Sequence, residues 1–82
     1  MLEKLRAKEK VIGVKQSRRA VRSGQAQLVF LASDADPALT KPLEEQCLAR
    51  QVPVVTEFTM WELGQAAGIQ VGAAVAALLK KD

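Results

Sequence analysis

A chain of 82 residues that is 49% apolar and 26% charged has enough material for one hydrophobic core and too little for two, and its balance excludes a disordered polymer. Its single cysteine, Cys47, and its lack of histidine exclude an internal disulfide and remove the usual donors for zinc clusters, haem and histidine acid–base catalysis; a reducing cytoplasm is the expected setting. The net charge of +3 is unevenly spread: residues 1–25 carry eight basic and two acidic side chains, and the remaining 57 carry four basic and seven acidic ones. A basic end of this kind suits a polyanion partner, with a merely solvated helix face as the competing explanation.

The opening MLEKLRAKEK alternates charged and apolar residues, without the continuous apolar core of a signal peptide, and no later run reaches membrane-spanning length. Neither secretion nor membrane insertion is expected. Leu2 to Glu9 fits a short amphipathic helix. Val11 and Ile12 form a brief apolar run that Gly13 ends. Val14, Ser17, Ala20 and Val21 then recur at helical spacing while Lys15, Arg18, Arg19 and Arg22 fall on the other side, with Gly24 as the stop. The expected element is a helix that is basic on its outer face.

Gln27 to Ala32 contains the apolar run LVFLA, the pattern of a strand covered on both faces. The turn-rich SDADP follows, then a helix from about Lys41 or Pro42 to Arg50, with Leu39, Leu43 and Cys47 at i, i+4 and i+8 and Leu48 beside them. Val52 to Glu57 is expected as a second strand, parallel to the first through a right-handed βαβ crossover. Thr59 can cap a further helix through Ala67, stopped by Gly68. The tail VGAAVAALLKKD stays open between helix and strand: alanine favours helix, but a helix there leaves the sheet with an open edge. Alternating helices and short strands point to an α/β/α sandwich.

Gly13 to Arg19 carries the clearest chemistry. A helix N-terminus can receive a phosphate, and Lys15, Gln16 and Arg19 project from neighbouring positions of its first turns. Arginine can donate bidentately to guanine O6 and N7, and glutamine offers both a donor and an acceptor to a base edge. The paired carboxylates Asp34 and Asp36 could suggest a magnesium site. However, Asp36-Pro37 is an ordinary helix-start pair and no catalytic partner set accompanies it, so no metal, cofactor or catalytic residue is expected. Cys47 falls on an apolar helix face and is expected to pack. Trp61 either covers the core in part or faces solvent. In Gly68-Ile69-Gln70-Val71-Gly72, branched apolar residues sit between glycines; packed inward they belong to the core, and exposed on a loop they can cover an unstacked base.

Taken in order, Gly13 to Arg19, Gly24 with LVFLASDADP, LEEQC, VPVV and ELGQAAGIQVGAA resemble the kink-turn-binding ribosomal protein family, which includes the L7Ae and L30e proteins and the core proteins of box C/D ribonucleoproteins. The match runs from about residue 11 to 79, and TMWELG is most similar to the bacterial ribosomal-protein-like members. The resemblance implies a three-layer α/β/α sandwich with a four-stranded mixed sheet, in which Ala74 to Leu79 is a strand. It also implies a non-catalytic protein that reads the tandem sheared G·A pairs of a kink-turn.

In that family an Asn-Glu pair and a lysine three residues on contact the guanines; here those positions hold Lys15, Gln16 and Arg19. Lysine cannot accept a hydrogen bond as asparagine does, whereas arginine is a stronger bidentate donor than lysine. By the same resemblance Gly13 allows close approach, Val14 belongs to the RNA-binding surface beside it, Arg18 and Arg22 support backbone contacts, and Ile69, Gln70 and Val71 form the loop over the looped-out nucleotides. Met60 stands where archaeal relatives have lysine. The expected partner is a kink-turn in ribosomal RNA or in a structured messenger leader, bound by a cytoplasmic monomer. The alternative is a protein-interaction module of the same fold.

Overall fold

The structure, a computed structural model, describes residues 2–7 and 9–80; Lys8 and Lys81, two of the basic positions counted above, lie outside the described residues. In chain order the elements are α1 (Lys4–Ala7), β1 (Lys10–Ile12), α2 (Val14–Arg22), β2 (Ala26–Leu31), α3 (Pro37–Ala49), β3 (Val54–Val55), α4 (Met60–Ala67) and β4 (Val75–Leu79). The four strands form one mixed sheet in the order β1-β4-β2-β3, with β2 and β3 parallel and β4 antiparallel to both of its neighbours. This is the α/β fold expected from the sequence, a four-stranded mixed sheet with helices on both faces.

Strand pleating sorts the side chains into two cores. On one face Val29 and Leu31 of β2 and Val75 and Ala77 of β4 meet Ala20 and Val21 of α2 and Leu43 and Cys47 of α3. On the other, Phe30 and the residues Ala76 and Leu78 of β4 meet Leu5 of α1 and Leu63 of α4, and the Phe30 and Phe58 rings lie 6.3 Å apart. The alternation also decides the tail. Placed between β1 and β2, β4 satisfies its backbone on both sides, and Ala76 and Ala77, fully buried, fill the narrow space under the two helix layers. Context here overrides the helix propensity of alanine, which over so short a run is too weak to nucleate a helix.

Three boundaries differ from the sequence reading. The first helix spans four residues and not the whole of Leu2 to Glu9, because the carbonyl of Glu9 already accepts a hydrogen bond from the Leu79 amide at 3.0 Å and commits the chain to the sheet. The third helix starts at Pro37, not near Lys41 or Pro42: the Asp36 carboxylate accepts from the Ala38 amide at 2.9 Å with proline in the first turn, and Pro42 is carried inside the helix. The strand expected over Val52 to Glu57 pairs only at Val54 and Val55. It is an edge strand that begins just after Pro53, which has no amide to donate.

Leu39 is also displaced from its expected inner face. It is 48% exposed, whereas Leu43 and Cys47 are buried. Among the described residues no helix is long and apolar enough to cross a membrane.

Candidate nucleic-acid interface

The start of α2 is shaped by Gly13. Its φ of 108° and ψ of 158° lie in a region that side-chain-bearing residues rarely adopt, and a Cβ there would meet nothing within 4 Å. Glycine is therefore required by the backbone conformation and not by crowding. The Gly13 amide donates to the carbonyl of Val75 at 2.8 Å and its carbonyl accepts from the Ser17 amide at 3.0 Å, so the helix springs directly off the sheet. No side chain caps this N-terminus. Its first amides and the positive end of the helix dipole are therefore left without a side-chain cap, the arrangement that suits an anion.

The helix has two clean faces. Ser17, Ala20 and Val21 are buried and Val14 is half-buried against the first core. Lys15, Arg18, Arg19 and Arg22, at i, i+3, i+4 and i+7, are exposed as one stripe with Gln16 beside it. None of these four cations makes an ion pair with a described residue. Arg50, at the end of α3, donates from Nη1 to the Arg22 carbonyl at 3.1 Å, which caps the negative end of α2 and lengthens the basic stripe by one charge. The sequence reading did not single out Arg50. No local signal could have done so, because the contact joins residues 28 apart.

The second part of the site follows α4. Thr59 and Glu62 form a reciprocal capping box at the start of that helix, and the Asp34 carboxylate accepts from the Met60 amide at 2.8 Å. Gly68 ends the helix in the left-handed conformation with φ 81°. Beyond it the loop folds back against the helix: Ile69 donates to the Gly64 carbonyl at 3.1 Å and Ala73 to the Met60 carbonyl at 3.0 Å. This return depends on missing side chains. A Cβ on Gly64 would run into the Val71 carbonyl, and one on Gly72 would come within 3.2 Å of Met60 Cβ.

The loop residues divide unequally. Val71 is 70% exposed and Gln70 is exposed, but Ile69 is half-buried and packs against the second core. Of the two placements open to it, Ile69 thus takes the packed one. Its amide is tied to α4, which turns the side chain toward the sheet, and Val71 presents the loop's apolar surface.

Both parts lie at one end of the sheet. The bond from Gly13 to Val75 joins the last residue before α2 to the first residue of β4, and only Ala73 and Ala74 separate that residue from Gly72. The structure therefore brings together Gly13, Val14, Lys15 and Gln16 with Gln70 and Val71, residues more than fifty positions apart in the chain. Arg18, Arg19 and Arg22 run away from this end along α2.

Asp34, Asp36 and Cys47 have structural roles. Asp34 and Asp36 hold helix starts through main-chain amides, and among the described residues no group of three or more histidine, cysteine or acidic side chains could hold a metal. Cys47 is buried. Burial raises its thiol above the ordinary range and the Glu44 carboxylate adds to the rise, which keeps it a protonated, unreactive packing group. Trp61 is 68% exposed.

A mixed sheet between two helix layers, with an uncapped basic helix and a glycine-built loop at one end, defines a class of known proteins. The chain belongs to the ribosomal protein L7Ae/L30e/S12e/Gadd45 family, which it matches over residues 1–82. It is 41% identical over 76 residues to an RNA-binding protein of Geobacillus sp. (strain WCH70), with 93% of each chain covered. It is likewise 41% identical over 76 residues, with 93% of each covered, to the RNA-binding protein YbxF of Geobacillus stearothermophilus. The solved structure of the Giardia lamblia 15.5kD RNA binding protein matches it with a TM-score of 0.92 at 29% identity, over 99% of this chain and 72% of that one. RNA-binding members of the family are non-catalytic.

Proposed function

We propose that this protein is a non-catalytic RNA-binding protein that recognises a kink-turn and holds it bent. The observation that carries the reading is the meeting of two unlike surfaces at one end of the sheet, tied by the hydrogen bond from Gly13 to Val75. One is a helix N-terminus with four cations that pair with no described residue; the other is a loop with an exposed valine. Lys15, Gln16 and Arg19 read the G·A pairs in the major groove, with Gly13 and Val14 allowing the backbone to approach. Arg18 and Arg22 meet phosphates.

Gln70 and Val71 cover the looped-out nucleotides, and Ile69 supports them from beneath. An extended duplex can satisfy one surface but not both, so binding favours the bent form. The partner is a kink-turn in ribosomal RNA or a structured messenger leader, met in the cytoplasm by a monomeric protein acting as one domain over residues 1–82.

The test is a gel-shift with a kink-turn RNA and a control whose G·A pairs are replaced by Watson–Crick pairs. Selective retardation of the kink-turn is expected. Equal affinity for both RNAs would reduce the protein to a charge-driven binder, and no shift with either would overturn the reading.

A further inference from the structure

Trp61, the chain's single tryptophan, is placed where a core role cannot explain it: its side chain is 68% exposed on the second residue of α4. It lines a shallow groove between α1 and α4 together with Leu2, Arg6 and Gln65. Among the described residues the ring contact is between Phe30 and Phe58, so the indole faces are uncovered by another ring. Arg6 makes no ion pair with a described residue. Glu62 also borders the groove, but its carboxylate is turned back onto the Thr59 amide at 2.9 Å and the Thr59 hydroxyl at 3.2 Å. The groove thus offers an open aromatic face, a guanidinium that pairs with no described residue, and a side-chain amide.

We infer that Trp61 and Arg6 form a second RNA contact, in which the indole stacks on one unpaired base and the guanidinium meets an adjoining phosphate. The inference rests on the reading above, in which the loop at Val71 covers looped-out nucleotides. Base stacking on an exposed aromatic beside a cation is the general means of holding unpaired nucleotides, whereas an apolar protein partner would call for a continuous apolar surface without Arg6 and Gln65 in it.

Met60 links the groove to the proposed interface. Met60, the residue before Trp61, accepts from the Ala73 amide at 3.0 Å and its Cβ lies against Gly72, so a strand that crosses Val71 arrives at the start of α4. α1 and α4 lie on the face of the sheet opposite α2. RNA held at α2 and at Trp61 would therefore be gripped from both helix layers around the end of the sheet.

The chain has one tryptophan and no tyrosine, so indole emission reports this site alone. The experiment titrates the whole chain with a kink-turn RNA and with the same RNA made abasic at each looped-out position in turn. Quenching by the intact RNA is expected, and one abasic position should abolish it. Trp61→Ala should bind the intact RNA about tenfold more weakly, the scale of one base–aromatic stack, and bind that abasic RNA as the unsubstituted protein does. Trp61→Phe should retain most of the affinity. Circular dichroism of the variants, altered at an exposed position, should match the parent. Emission that ignores RNA, or an affinity loss that is the same on intact and abasic RNA, overturns the inference while the kink-turn reading stands. If the parent protein does not prefer the kink-turn over its G·A-disrupted control, both fall.

Discussion

α2 and the loop after α4 meet at one end of the sheet but are built in opposite ways. The helix carries its chemistry on consecutive residues, and alternation of buried and exposed positions sends Lys15, Arg18, Arg19 and Arg22 outward whatever the rest of the chain does. The loop has little chemistry of its own. Its position depends on two absent side chains, at Gly64 and Gly72, and its exposure falls on Val71 and not on Ile69. The outward face of a helix can thus be read from its own residues, whereas the exposure of a loop is an outcome of what it packs against.

The largest expected effect tests the loop's foundation. Gly64→Ala gains about 1 kcal/mol of helix propensity but drives a Cβ into the Val71 carbonyl, a main-chain atom that no rotamer change can move. Overpacking of this kind costs about 3 kcal/mol or more, so urea denaturation should show a net loss of about 2 kcal/mol, with weakened kink-turn binding. A variant as stable as the parent would mean that the loop does not need this close approach.

Next comes the contrast within the loop. Ile69→Asp puts a charge against the second core and should lower stability by about 2 kcal/mol, whereas Val71→Asp, at an exposed position, should stay within about 0.5 kcal/mol of the parent and lose RNA affinity instead. Thermal melts and titrations of the two variants side by side would expose a reversal of these roles.

On the helix, Arg19→Ala should cost about 1.5 kcal/mol in kink-turn affinity and nothing in melting temperature, since the side chain is exposed and touches no described acid. Equal losses on the G·A-disrupted control would show that it meets phosphate only. The smallest effect should have the opposite sign. Ser17 Oγ is buried without a hydrogen-bond partner among the described residues, so Ser17→Ala should raise stability by about 1 kcal/mol and leave RNA affinity unchanged. A destabilised Ser17→Ala protein would reveal a partner for that hydroxyl.

The amino-acid sequence by itself determined the order of elements as far as α4, the buried strand at LVFLA, the two-faced basic helix and its Gly13 start, because periodicity, caps and positive φ are local properties of a few neighbouring residues. It also carried the family, through ordered motifs along most of the chain. Only the tertiary structure decided the rest. It made the alanine-rich tail a central strand by offering hydrogen-bond partners on both sides, started α3 at Pro37, and turned Leu39 outward. It brought Arg50 to the end of α2, half-buried Ile69 while leaving Val71 exposed, and set Trp61 beside Arg6. Each of these depends on a partner distant in sequence, and hydrogen-bond satisfaction and close packing are decided by which surfaces meet.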